Sequence, residues 1–520
     1  MGKQSRIHRP VQEAHPRHVL APSRPSVPFL AFARTIAPFY LRFALKFQDI
    51  RLHNPDLLIQ AFRQFQNKET RLLFAFRHPY GDEPQLLQHA FDQVVPRLAK
   101  KAGSPLPRRP HVRFIHGYDV AFWGGAFIRF VLPRAGAVPI QHLQADPAGM
   151  KQIRELLLND TCPLALAPEG QISYRSASVP RLEPGTARIG FWCARDLDKA
   201  GRGEQALILP ISVHYQYREQ DAKKLQRFIS KLEAFCGLSP ELPQAVTDTL
   251  QTATDNRHAT ADNSQAATRA PQSYRHALRA RLIRLGNALI AQAERHYGLD
   301  PNTDYEASRA AVIEAALQTG ERMLGLQKPR EKPTESGQAD SPTSEEILNA
   351  RITRVYRIRK AGWDRIYPID APQPDGESPE THPQPPQTAS GAPLPQAMRH
   401  RDAGEGWYAM RHMELVDILE YLDAAYLDAE GDPDGPSFDR QCETAINLQD
   451  LACRMAGGNI TTRENPLKKR AVILAGNPIN LTERLPAYQQ NMKQAVREVT
   501  DTLREEYLQL IHSWNRRHNG

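Results

Sequence analysis

The segment RLLFAFRHPYGDEPQLL, residues 71–87, sets an imidazole directly after an apolar run and two carboxylates within five positions of it. Apolar runs of this kind end where a parallel sheet exposes functional groups, at the carboxyl edge of its strands. A carboxylate four or five residues on, at the start of the next helix, can accept a hydrogen bond from one ring nitrogen of His78. That bond fixes the tautomer and leaves the other nitrogen to take a proton. Asp82 and Glu83 both stand within reach of the imidazole, Glu83 by its longer arm. A further carboxylate arrives in LALAPEGQISYRS, residues 164–176, where an apolar strand ends on Pro168, Glu169 and Gly170. Pro-Glu-Gly is a turn composition, so it presents a carboxylate and an unhindered backbone at the same edge.

These groups need a frame to position them. Between 48 and 218, short apolar runs (RLLFAFR, HVRFIHG, AGAVPIQ, CPLALAPEG, ALILPISVHY) alternate with helical or turn segments. One such segment is PAGMKQIRELLLND, with Ile153, Leu156 and Leu157 on one face. Strands alternating with helices predict an α/β domain with a mostly parallel sheet flanked by helices. From 219 to 465 the strand-like runs vanish, and a helical insertion is expected, with helices over 273–297, 303–325, 343–362, 408–428 and 438–456. The tracts 246–272, 327–342 and 370–404 are too poor in bulky apolar residues to order themselves and read as disordered linkers. In KKRAVILAGNPINL the strand-like apolar character returns, so a closing strand and helix over 466–512 are expected to rejoin the α/β domain and make it discontinuous.

At the other end, residues 1–26 are rich in Arg, His and Pro, lack an apolar signal core and read as a disordered basic tail. Residues 27–47 carry Phe39, Phe43 and Phe47 at a spacing of four, with Arg42 and Lys46 beside them. That pattern predicts an amphipathic, membrane-contacting helix. A formal charge of +9 over 520 residues favours an anionic partner. No run approaches the ~18 apolar residues of a spanning helix, so membrane contact is expected to be peripheral, from the cytoplasmic side. The five cysteines form no C-x-x-C pair, which argues against a disulfide framework or zinc knuckle and for a reducing compartment. G-x-S-x-G, P-loop and H-E-x-x-H motifs do not occur, and GRGEQA at 201–206 precedes a strand and reads as a loop. Arg351, Arg354, Arg357 and Arg359 lie on one expected helix; they read as a solvated face or a contact for anionic lipid headgroups, ahead of nucleic acid.

Taken in order, the His78 segment, RAGAVPIQH at 134–142, LALAPEGQISYRS and ILPISV at 208–213 resemble the glycerol-phosphate and lysophosphatidic acid acyltransferase superfamily. Its pattern runs His-x-x-x-x-Asp, Gly-x-x-[apolar]-Ile-x-Arg, Phe-Pro-Glu-Gly-Thr-Arg-Ser and then an apolar Val-Ile-Pro-Val strand. GNPINL resembles the Gly-Glu-Pro-Ile tail that follows, so the resemblance spans 48–218 and 466–512. It implies an O-acyltransferase of lipid biosynthesis, with His78 as base on an acceptor hydroxyl and a carboxylate orienting it. The cosubstrate is then acyl-CoA or acyl carrier protein, with no other cofactor and no metal, and the acceptor a 1-acylglycerol-3-phosphate-like lipid. Glu83 falls at the family's Asp position and is preferred, with Asp82 one place early; Glu169 and Gly170 fall in the substrate-binding motif. His142 stands where the family has Arg, and Gln171 and Ile172 where it has Thr and Arg. The family arginines are expected to grip the acceptor phosphate, since a guanidinium fork matches phosphate oxygens. Arg175 and Arg134 are the nearby substitutes. These departures leave two alternatives open, a non-phosphorylated acceptor and an acyltransferase-fold scaffold that binds anionic lipid.

Overall fold

In a computed structural model, the structure describes residues 23–120, 124–141, 143, 146–239, 264–327, 344–367, 396–427, 436–458 and 460–518. The chain divides into two compact units, an α/β unit within Leu20–Asp221 and Leu467–Gly520 and a helical unit within Ala222–Pro466.

The α/β unit is built on one sheet whose strands are β1 (Phe47–His53), β2 (Thr70–Phe76), β3 (Arg113–Gly117), β4 (Val138–Ile140), β5 (Leu164–Leu166), β6 (Gln205–Tyr217), β7 (Lys469–Ala475) and β8 (Ile479–Asn480). Their order is β1-β7-β6-β2-β5-β3-β4, with β8 beside β6. β6, β2, β5, β3 and β4 run parallel, whereas β7 and β8 pair antiparallel with β6, and β1 is parallel to β7. The sheet is therefore mixed but mostly parallel, and helices flank it. β2 is buried at every position, which is why its sequence is a nearly unbroken apolar run, the signature of a strand covered on both faces. Leu73 and Ala75 of β2 share a core with Ile153 and Leu157 of the helix Pro147–Asn159, Ile189 and Phe191 of Gly185–Lys199, and Leu503 and Tyr507 of Met492–His518. The Tyr507 hydroxyl donates to the Ala75 carbonyl at 2.8 Å, locking the last long helix to the central strand.

Two features of the N-terminal part differ from expectation. The helix Val27–Phe39 continues as a π turn over Tyr40–Ala44 and stops there. Lys46 takes a left-handed φ of 60°, and Phe47, placed by its spacing on the helix, opens β1 and is buried. β1 itself, FQDIRLH, is absent from the apolar runs because it is an edge strand with charged residues among its partly exposed positions.

The helical unit contains the helices Ala222–Phe235, Ser264–Tyr297, Tyr305–Leu324, Ser344–Ile366, Gln396–Leu419 and Phe438–Met455. Residues 264–272 and 396–404, read from composition as linker, belong to the second and fifth of these. Ala403 is fully buried, so tertiary packing of a segment with good helix formers overrides its polar look. The stretches 246–263, 328–342 and 370–395 lie outside the described residues, as does the 1–22 part of the basic tail. The arginine face is also corrected. Arg351 pairs with Glu420, Arg354 with Glu314 and Glu321, and Arg359 with Asp417, while Arg357 donates to the Gln327 carbonyl. These guanidiniums tie the helices of their own unit together.

Candidate active site

β2 delivers the central group. Phe76 stands opposite Ile211 of β6, and Arg77 extends the ladder by donating its N–H to the Ile211 carbonyl at 2.9 Å. His78 follows as the chain leaves the sheet, and its Nδ1 lies 2.7 Å from Glu83 Oε2. Glu83 opens the helix Glu83–His89 and is fully buried. Its Oε1 accepts the Tyr80 N–H at 3.1 Å and the hydroxyl of Tyr215, and its Oε2 also accepts the Gly81 N–H at 2.9 Å. Gly81 has a φ of +91°, where a side chain is strained, and a Cβ there would stand 3.2 Å from Ile172 Cδ1. The turn between base and carboxylate therefore requires glycine.

Burial favours the neutral form of Glu83, but the hydrogen bond and charge of His78, with the Tyr215 hydroxyl, hold its carboxyl below the usual range. An ionised Glu83 accepts, so the imidazole carries its proton on Nδ1 and its lone pair on Nε2. For His78, burial works downward, yet the hydrogen bond and charge of Glu83, together with the charges of Glu169 and Asp82, raise it above the ordinary histidine value. Burial and the nearby charges of Glu83 and Asp82 push Tyr215 well up, so it stays a donor. The His78 side chain keeps 20 % of its surface exposed, which leaves it reachable by a substrate. A base with one nitrogen held and the other available is the chemistry this arrangement supports.

Glu169 is brought to the same place, and both its oxygens are taken up. Oε1 is 3.0 Å from Arg77 Nε, and Oε2 accepts the His78 backbone N–H at 2.9 Å. Arg77 is fully enclosed and also donates to the carbonyls of Ser176 at 2.8 Å, Arg175 at 3.0 Å and Ser178 at 2.5 Å. The Ser173 N–H donates to the His78 carbonyl at 3.0 Å. The loop that follows β5 is thereby laced to the strand that carries the base.

The remaining expected residues fall elsewhere. Asp82, at the N-cap position of its helix, makes no capping bond; its carboxylate meets Lys469 Nζ, at the start of β7, at 2.5 Å. Of the two adjacent carboxylates, the imidazole has Glu83. Gly170 has a φ of +71°, and its N–H donates to the Ala167 carbonyl at 3.3 Å, so that donor closes its own turn. Arg175 is buried, with its carbonyl on Arg77. Arg134 ends the helix Gly125–Ala135, folded over the Phe130 ring at 3.8 Å and bonded to the Phe130 carbonyl, contacts that do not link it to His78. His142 lies outside the described residues. Among the described residues, no cluster of three His, Cys, Asp or Glu side chains could hold a metal ion.

Arg77, Tyr80, Tyr215 and Lys469 were not singled out from sequence. Arg77 carried a signal: a charge directly after the apolar run Leu72–Phe76 must find a buried partner. Tyr215 reaches the site only through the pairing of β6 with β2, and Lys469 through that of β7 with β6. Compared with models of known protein families and with curated proteins, the chain matches none.

The geometry gives the two carboxylates different partners, His78 for Glu83 and Lys469 for Asp82. Glu83→Ala is expected to lower turnover at least ~10-fold more than Asp82→Ala, because only Glu83 fixes the ring. Steady-state rates of the two variants under one set of conditions check this, and equal losses would return the orienting role to both.

Proposed function

We propose that the chain is an O-acyltransferase that moves an acyl chain from an acyl-CoA or acyl carrier protein thioester to a hydroxyl of a glycerolipid precursor. The observation that carries this reading is His78 at the strand edge, with Nδ1 held by a buried, four-donor Glu83. An alcohol is too weak an acid to attack a carbonyl unaided near neutral pH. His78 Nε2 takes its proton as the oxygen bonds to the thioester carbon, and Glu83 stabilises the imidazolium that forms. The tetrahedral oxyanion then collapses, the C–S bond breaks, and the thiolate leaves and recovers the proton from Nε2. The products are an ester and a free thiol, so no covalent acyl-enzyme is needed.

A lipid acceptor is supported by an aromatic surface. Phe32, Phe39 and Phe43 are exposed on the N-terminal helical segment, and Phe127 and Phe130 on Gly125–Ala135, and the Phe29 and Phe130 rings meet edge to face at 6.3 Å. Neither 23–47 nor 125–135 contains Asp or Glu, whereas Arg24, Arg42 and Arg134 are exposed there. No helix of the described residues is long and apolar enough to cross a membrane, so the reading is attachment to one face of an anionic bilayer. Replacing Phe32, Phe39 and Phe43 together with Ser is expected to cut flotation with anionic liposomes about 10-fold or more. Undiminished flotation would count against attachment through this surface.

A second acceptor class has its own support. Arg77, the guanidinium adjoining His78, is committed to Glu169 and three carbonyls, and Gln171 and Ile172 carry no positive charge. These favour an acceptor without phosphate as the alternative. Purified protein should be supplied with radiolabelled acyl-CoA or acyl carrier protein and, separately, glycerol-phosphate, lysophosphatidic acid, other lysophospholipids and monoacylglycerol. Label in an ester product supports the reading, and the acceptor that takes it decides between the classes. Thioester hydrolysis without transfer, or no consumption at all, overturns it.

A further inference from the structure

Lys469 is a cation in an unusual place. Its side chain is 2 % exposed, and its Nζ lies 4.5 Å from the Phe47 ring centroid, 4.7 Å from Tyr215 and 5.0 Å from Tyr80, with Asp82 Oδ2 at 2.5 Å. The box is tightly made. Tyr80 and Tyr215 stack at 4.4 Å and 12°, and the Tyr217 hydroxyl donates to that of Tyr80 at 3.1 Å. Register explains how it forms: Lys469 pairs with Phe47 of β1 on one side and Tyr217 of β6 on the other. Cations are attracted to ring faces, but an apolar side chain would pack three rings without the cost of burying a charge. The charge therefore has a purpose beyond filling the box.

That purpose is visible in what Lys469 holds. Tyr80 and Tyr215 both donate to Glu83, by backbone N–H and hydroxyl, and Asp82 is the rival carboxylate one residue before it. We propose that Lys469 is a positioning residue which, by engaging Asp82, reserves the His78 imidazole for Glu83. The closing segment of the chain thus sets which carboxylate serves the base. The inference rests on the reading of His78 as base for its kinetic arm alone; its titration arm needs no activity. The charged and titratable groups facing the imidazole are Glu83, Asp82 and Glu169, with Arg77 adjoining it, Tyr215 on β6 and Lys469 behind Asp82.

The test compares Lys469→Met with the double variant Lys469→Met/Asp82→Asn. Met fills the ring box without charge and leaves Asp82 unopposed beside His78. The single variant is expected to lose about 10-fold or more in kcat with KM changed less than about 3-fold, since positioning acts on the chemical step. Removing a positive charge and unmasking a negative one must raise the His78 titration midpoint. The midpoint can be read from the pH dependence of diethyl pyrocarbonate modification of His78, followed by peptide mass. The double variant removes the rival along with its partner, so it is expected to recover most of the lost kcat and return the midpoint toward wild type. A merely structural lysine would give losses that Asp82→Asn leaves untouched and an unmoved midpoint, and either result overturns the proposal. If the single variant fails to fold, the double variant carries no unpaired charge and still decides: a far-shifted midpoint in it refutes the role. If wild type transfers no acyl group, the function reading fails while the titration arm stands on its own.

Discussion

His78→Ala is expected to lower acyl transfer by about 10²–10⁴-fold, the contribution of a positioned base, while leaving the fold intact. The second half of that statement follows from the site's own bonding. With the imidazole gone, Glu83 keeps the N–H groups of Tyr80 and Gly81 and the hydroxyl of Tyr215, so no buried carboxylate is stranded. His78 is also partly exposed, so truncation opens no closed cavity. The expected destabilisation is about 1.5–3 kcal/mol, the scale of one hydrogen bond to a charged group. Thermal unfolding and transfer rates on the same preparation check both halves. Turnover within a few-fold of wild type would remove His78 from the chemistry.

Arg77→Met is the opposite kind of change, one that strikes the scaffold. It strands Glu169 in a buried position and unties three carbonyls of the loop after β5. Breaking a buried pair by removing one partner costs about 3–5 kcal/mol, which for a unit of this size corresponds to a melting point lower by about 10 °C. Arg77→Lys is expected to recover little, because a single ammonium cannot serve a carboxylate and three carbonyls in the geometry of a planar fork. Adding Glu169→Gln to Arg77→Met should return part of the stability, since it removes the uncompensated charge. Turnover is expected to fall with the loop even where the protein remains folded, because the backbone N–H of His78 is tied to Glu169. A melting point unchanged in Arg77→Met would contradict the account of the scaffold.

The core of this arrangement was legible in the sequence because it is local. β2 reads as a buried strand from its apolar run, and the five-residue step from His78 to Glu83 is short enough for a turn to set. Pro168-Glu169-Gly170 likewise marks the end of β5. What stayed hidden depends on pairings between distant segments. Lys469 lies 387 residues from Asp82, and in sequence it is one more basic residue in a basic run. Tyr215 looks like any aromatic on a strand until β6 is set beside β2. The resemblance places Glu169 in a substrate-binding motif, whereas the buried Arg77 draws its carboxylate inward. Edge strand β1 escaped notice for a similar reason, since charged positions blur the period-2 pattern that burial on one face would sharpen.

The chemistry and the scaffold meet in the protonation of His78. A base must be neutral to act, so transfer should rise with pH through the His78 titration. Glu83, with Glu169 and Asp82, lifts that value against the downward pull of burial, so the acid limb of the wild-type profile should lie above the ordinary histidine value of ~6.5. Glu83→Gln removes the largest upward influence and leaves the burial, so its limb should move to lower pH while its plateau rate falls. The pH dependence of kcat/KM for acyl transfer, wild type beside Glu83→Gln, is the most direct measurement of the claim that a Glu83-held His78 is the working base. The account predicts a limb displaced to lower pH in the variant; the same limb in both proteins would contradict it.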